Sequence, residues 1–278
     1  MTAKDGATIP AVIFKASDEI EKGVIIICHG FGVHSAAFYE LADYFRKNGY
    51  TSVIFDQRGH GKPPERSEKL HGIVPGYQSF IDDLISITEF TKQKFPGVPV
   101  AVYGHSMGGN VVINTLLYLR EEASKTYFCA VLESPWLGLY KPLSLPEKYL
   151  LKLLNIILPN MRIRRKFKSG DFTEDTEKIQ EGTKDPYFHG YISMRMISGI
   201  MTGCKNATEN AEKLPIKTYI AYADKERVVS QRAIIDFAEK ASDAAILKKY
   251  ESYHSIYSNI NRESYYNDLI SFIDSRIK

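Results

Sequence analysis

The segment Gly104-His105-Ser106-Met107-Gly108-Gly109 restricts this chain more than any other. It stands between an apolar run, Val98 to Tyr103, and a helix-like segment, Val111 to Arg120. A serine forced into a tight strand-to-helix turn leaves little room for side chains two residues away, so glycine is needed on both sides. The turn exposes the hydroxyl and sets it at a helix N-terminus, where backbone N–H groups stabilise negative charge. Ser106 therefore reads as a nucleophile. The plainer alternative is a turn of purely structural use, and the strand before it and helix after it weigh against that.

The rest of the chain keeps the same rhythm. Val24 to Cys28, Tyr50 to Phe55, Phe128 to Leu132, Ile216 to Tyr222 and Ala245 to Tyr250 read as strands. Between and after them, Phe38 to Asn48, Tyr77 to Phe95, Gln231 to Lys240 and Arg262 to Ile277 read as helices. Alternation of this kind predicts an α/β sheet covered by helices on both faces, and the unbroken apolar character of Val24 to Cys28 suits a central parallel strand. Regularity breaks between Trp136 and Cys204, where prolines (Pro142, Pro146 and Pro159 among them), an apolar run and a basic cluster replace it. The expected organisation is a core in two parts, 1–136 and 206–278, with residues 137–205 inserted as a cap. With 278 residues, one sheet plus an insertion accounts for the length without a second domain.

A serine nucleophile also needs an oxyanion site, built from the N–H after the nucleophile and another from a loop after an earlier strand. Met107 supplies the first, and Phe31, in His29-Gly30-Phe31-Gly32 after the Val24 strand, is the candidate for the second. Composition removes several other classes. Lys and Arg number 36 against 33 Asp and Glu, a formal +3 that is too small to imply nucleic acid. The three cysteines, Cys28, Cys129 and Cys204, are scattered, and the histidines lack paired ligand spacing, so no metal site is expected. Reduced thiols and the lack of an apolar leader or an 18-residue apolar run fit a cytoplasmic protein without a membrane span.

At this point the chain resembles the α/β-hydrolase superfamily and, within it, the monoacylglycerol lipase and lysophospholipase group. The resemblance covers most of the chain. Besides the Ser106 turn, it rests on His29-Gly30-Phe31-Gly32-Val33-His34-Ser35, Asp56-Gln57-Arg58-Gly59-His60-Gly61, Glu133-Ser134-Pro135 and Tyr253-His254. Members usually follow the Gly-His-Gly with serine, whereas here Lys62-Pro63-Pro64 follows. The resemblance implies a mostly parallel eight-stranded sheet, a helical cap after the sixth strand, and ester hydrolysis without a cofactor.

Chain order in this fold is serine, acid, histidine. Of seven histidines, His29, His34, His60, His71, His105, His189 and His254, only His254 follows the last strand and reads as the general base. His29, His60 and His105 sit beside glycines in tight turns and read as packing or hydrogen-bonding residues. The acid should follow the Ile216 strand, where Asp224 and Glu226 both occur. Counted on the family's Gly-x-x-Asp-x-Val-Val pattern, Glu226 takes the acid position and Ser230 caps the next helix. Asp224 stays open because aspartate is the commoner type, and Glu133 is a third candidate.

In the cap, Tyr149 to Leu158 is apolar apart from Lys152 and Asn155, and Arg162, Arg164, Arg165, Lys166 and Lys168 follow. A helix packed on the core is the plain reading. The sharper one is a face that lines an acyl tunnel or contacts a lipid surface over Tyr149 to Lys168, peripheral to a membrane. The expected substrate is a small-molecule acyl ester with a single chain, monoacylglycerol or lysophospholipid. A short-chain or aromatic carboxylesterase is the alternative, since a fold does not fix a substrate. A non-catalytic ligand-binding protein on the same scaffold is the alternative of another class. An acyltransferase would use the same acyl-enzyme, and oligomeric state leaves no mark in the sequence.

Overall fold

The computed structural model describes residues 1–17, 21–62, 70–166 and 168–277. The chain runs β1 (Ala11–Phe14), β2 (Gly23–Cys28), α1 (Tyr39–Lys47), β3 (Tyr50–Phe55), α2 (Gln78–Lys94), β4 (Val100–His105), α3 (Met107–Leu119), α4 (Glu122–Thr126) and β5 (Ala130–Glu133). It then passes through α5 (Leu145–Ile157), β6 (Arg162–Arg164), α6 (Thr176–Lys184), β7 (Tyr191–Ser193) and α7 (Met194–Glu209). It closes with β8 (Thr218–Ala223), α8 (Gln231–Ala241), β9 (Ala245–Tyr250) and α9 (Arg262–Asp274).

Seven strands form one sheet in the order β1-β3-β2-β4-β5-β8-β9. All neighbours are parallel except β1, which runs antiparallel to β3 at the edge. Residues of β2 to β5 are buried throughout, as strands covered on both faces must be. Successive side chains of β2 point to opposite faces and join two separate cores. Val24, Ile26 and Cys28 pack with residues of α2, α3, α7 and α8; Ile25 and Ile27 pack with α1 and α9. Each buried isoleucine contributes about 1.5–3 kcal/mol, so the sheet is held from both sides.

The strand count differs from the eight that the resemblance implies. Among the described residues the main sheet has seven strands, and the excursion follows β5, the fifth, rather than a sixth. The reason lies before β1. There the chain turns tightly at Gly6, where φ is +84°, and makes a single bridge between Thr2 and Thr8 instead of an outer strand. Of Lys62-Pro63-Pro64, which follow Gly61 where serine is usual, the two prolines lie outside the described residues.

Between β5 and β8 the chain leaves the main sheet. β6 and β7 pair only with each other, antiparallel, and α5 buries none of its residues. The Glu147 side chain accepts the Ser144 N–H at 2.8 Å, a first-turn acceptor that stabilises the start of α5. Helix α7 returns to the core and packs against α3.

Candidate active site

The site gathers at the C-terminal ends of β2, β4, β8 and β9, the end of a parallel sheet where strand-to-helix loops converge. Ser106 is the hinge between β4 and α3 and is held at φ 52° and ψ −114°, a region L-residues rarely occupy. Surrounding backbone fixes that conformation. The Ser106 N–H donates to the Glu133 carbonyl at 2.9 Å, and the Ser106 carbonyl accepts the Trp136 N–H at 2.8 Å. Close approach explains the flanking glycines: a Cβ on Gly104 would stand 2.7 Å from the Gly108 carbonyl oxygen, and one on Gly108 would stand 2.0 Å from that of Cys28.

The loop after β2 lies against Ser106. A Cβ on Gly30 would meet Ser106 Cβ at 3.3 Å, so the adjacent Phe31 N–H belongs to the immediate surroundings of the hydroxyl. Met107 opens α3, where first-turn amides lack intrahelical acceptors. Phe31 and Met107 thus converge on Ser106 from two segments. The Phe31 ring stands edge-on to Trp136, His60 and His189.

His254 lies in the loop after β9 and is 1% exposed. Its Nδ1 is 2.7 Å from Glu226 Oε2, so the ring donates there and leaves Nε2 for proton transfer. The other Glu226 oxygen accepts the N–H groups of Val228 at 2.7 Å and Val229 at 3.2 Å. Burial alone would raise the Glu226 carboxyl. The His254 charge, the ring hydrogen bond and the two amides outweigh burial and hold it below the usual carboxylate range. An ionised acid is therefore fixed against the imidazole.

Asp224 is used differently. It is exposed, and its Oδ1 accepts the Ser252 N–H at 2.9 Å, tying the ends of β8 and β9 together. Glu133 is buried behind the site, where it accepts the Tyr257 N–H at 3.1 Å rather than touching His254. Ser230 accepts the Ala233 N–H at 3.2 Å at the start of α8.

The remaining histidines are built into the walls. His29 donates from Nδ1 to the Gly30 carbonyl at 2.7 Å and accepts the Gln57 N–H at Nε2 at 2.9 Å, which fixes one neutral tautomer. Burial brings His29 and His60 down to about 3 and His189 to about 2. His71 stacks on His189 with ring centroids 4.4 Å apart. His34 Nε2 pairs with Asp185 at 2.6 Å, and the His105 ring lies 5.0 Å from that of His254.

Phe31, Ser106, Trp136, Arg165, Phe172 and Val228 line a cavity of about 10 Å³. That is room for about one water molecule, so an acyl chain enters only when these residues move. Phe172 carries no motif; Val228 belongs to the Val-Val pair by which Glu226 is counted, and the Glu133-Ser134-Pro135 run points toward Trp136. A far larger space, about 1290 Å³, lies between α2, α3 and α7 and touches none of Ser106, His254 or Glu226. Chemistry rather than volume locates the site. Among the described residues no group of three or more His, Cys, Asp or Glu is placed to hold a metal ion.

The profile of a family described as serine aminopeptidase, S33, matches residues 19–264. The chain belongs to that family. A monoacylglycerol lipase of Mycolicibacterium smegmatis is 23% identical over 265 residues, 94% of this chain and 91% of the relative. The phospholipase YtpA of Bacillus subtilis is 25% identical over 259 residues, 91% and 96% of the two chains. Among solved structures, a monoglyceride lipase of Saccharomyces cerevisiae bound to a substrate analogue superposes with a TM-score of 0.86 at 23% identity. It covers 99% of this chain and 94% of its own. The fold is that of the α/β-hydrolases, and the chain is a hydrolase of that class.

Proposed function

We propose that the protein cleaves carboxylic esters of single-chain acyl lipids, monoacylglycerol or lysophospholipid, through an acyl-enzyme on Ser106. The observation that carries this reading is the buried His254–Glu226 pair, 2.7 Å apart, at the end of the sheet that holds the strained Ser106 turn. His254 takes the Ser106 proton as Oγ attacks the acyl carbonyl, and the Phe31 and Met107 N–H groups stabilise the oxyanion. His254 then protonates the departing alcohol, and water attacks the acyl-enzyme by the same route. Each oxyanion donor contributes on the order of 3 kcal/mol to the transition state.

Substrate class is tested by a rate profile over p-nitrophenyl esters of increasing chain length, extended to monoacylglycerol and lysophosphatidylcholine. The expected result is kcat/KM rising with acyl length and turnover of at least one of the two lipids. The tight cavity over Ser106 favours one alternative, a short-chain or aromatic carboxylesterase, and a profile that falls with chain length would select it.

Residues 137–205 form the cap in this reading, with α5 as a lipid-facing helix. Leu145, Tyr149, Leu150, Leu153, Ile156 and Ile157 of α5 are all more than half exposed, and Arg164, Lys166 and Lys168 lie exposed beyond its end. An apolar helix face beside cations suits an anionic lipid surface. Arg162 and Arg164 also stand over the Tyr191 ring, 4.8 and 5.4 Å from its centroid, so the basic cluster holds β6 to β7 as well. Replacing Leu153 and Ile156 with serine, or Lys166 and Lys168 with glutamine, is expected to weaken sedimentation with anionic vesicles several-fold. Unchanged sedimentation in both variants would dismiss the surface contact. No helix among the described residues is long and apolar enough to cross a membrane. Three buried free cysteines agree with a cytoplasmic protein that meets lipid peripherally.

A further inference from the structure

Glu133 ends β5 fully buried, and no step above uses its carboxyl. Its contacts reach the Ser106 turn and the loop that carries His254. The main-chain carbonyl holds the Ser106 N–H at 2.9 Å. Oε1 accepts the N–H of Tyr257, three residues beyond His254, at 3.1 Å. Oε2 accepts the Tyr103 hydroxyl, which itself accepts that of Tyr265 at 3.5 Å. His105 Nε2 lies 3.9 Å from Oε1, and the His105 ring centroid is 5.0 Å from that of His254.

Two buried carboxyls thus hold the loop that carries the base. Glu226 holds the imidazole itself, and Glu133 holds the backbone just beyond it, where Phe38 also stacks on the Tyr257 ring with centroids 4.3 Å apart. The carboxyl takes a different donor on each oxygen, the Tyr257 N–H on Oε1 and the Tyr103 hydroxyl on Oε2, at a desolvation cost that a neutral side chain would not carry. An ionisable group kept in this place couples charge to the base as well as position.

We propose that Glu133 is a positioning residue for His254: it fixes the loop that carries the base and couples a second carboxyl to the protonation of the imidazole. This rests on reading Ser106 and His254 as nucleophile and base. Titratable groups face Glu133 from each element packed around it: Tyr103 and His105 from β4, His254 and Tyr257 from the base loop, Tyr265 and Tyr266 from α9. Burial pushes Glu133 up to about 7, against the pull of Tyr103, the Tyr257 N–H, Tyr265 and the His254 charge. A carboxyl that ionises near neutral pH carries part of its charge across the acid limb of a histidine-dependent rate. An anion at this position favours the imidazolium and keeps the base protonated to higher pH. Removing the charge therefore moves the acid limb of activity to lower pH.

The test is kcat/KM for p-nitrophenyl butyrate between roughly pH 5 and 9, in wild type, Glu133→Gln and Tyr103→Phe. Glu133→Gln is expected to lower kcat about tenfold with KM within about twofold, and to move the acid limb down by roughly half a pH unit. Tyr103→Phe removes one donor that stabilises the ionised carboxyl, so its limb moves the same way by less. It deletes a single oxygen and carries the test alone if Glu133→Gln fails to fold. Acid limbs that superimpose on wild type, even with lower kcat, would reduce Glu133 to a structural residue and overturn the proposal. Turnover surviving in Ser106→Ala would instead overturn the reading of the nucleophile, a separate result in the same assay.

Discussion

Ser106→Ala is expected to lower kcat by about 10⁴ to 10⁶ while leaving the thermal midpoint close to wild type. Without Oγ no acyl-enzyme forms, and the residual rate comes only from the oxyanion donors and from binding. Ser106 is 5% exposed at a strained turn, so alanine removes one atom and leaves the elbow intact. The measurement is steady-state hydrolysis of p-nitrophenyl butyrate beside labelling with a fluorophosphonate probe. The wild type should label and the variant should not. A Ser106→Ala protein that kept near-normal turnover would sink the assignment.

Glu226→Gln should cost about 10⁴ in kcat, for a reason of tautomer rather than shape. Its carboxylate accepts the His254 Nδ1 proton at 2.7 Å, and a glutamine that turns its NH₂ toward the ring would move the proton to Nε2 and leave no base for Ser106. Asp224→Asn gives the contrast. Asparagine keeps an oxygen for the Ser252 N–H, so a change of less than about tenfold is expected. Measured together, the two variants separate the candidates. A larger loss in Asp224→Asn than in Glu226→Gln would reverse the assignment.

Why one acid faces the base and its neighbour does not is a matter of loop path. Both follow β8 within four residues, and residue type alone favours the aspartate. The backbone decides. Asp224 continues the β8–β9 pairing by donating its N–H to the Tyr250 carbonyl at 2.9 Å, which leaves its side chain exposed at the sheet end. Two residues on, the chain turns inward, and Glu226 is held by the amides of Val228 and Val229 with its second oxygen on a histidine 28 residues away. Counting along a family pattern favoured Glu226; no local signal shows where a loop of this kind turns.

The nucleophile helix teaches a similar lesson. Its sequence reads as starting at Val111, because Gly108 and Gly109 are poor helix formers, yet α3 begins at Met107. Propensity loses there to close packing, since Gly108 must lie against the backbone of Cys28 and His29. The cap shows the opposite case. Tyr149 to Leu158 reads as apolar and helical, but only the fold leaves α5 without a single buried residue and turns Arg165 toward the Ser106 cavity.

The sequence by itself determined the parallel sheet, the Ser106 turn with its Phe31 and Met107 neighbours, and the place of His254 in chain order. Each of these is written in short-range pattern: β-branched runs, glycines two residues from a serine, and a histidine after the last strand. Tertiary structure alone decided which carboxylate meets the imidazole, how little space stands over the nucleophile, and that Glu133 reaches the base loop from behind. Those depend on contacts between segments tens to more than a hundred residues apart, as Glu133 and Tyr257 are, and spacing along a chain carries no record of such distances in space.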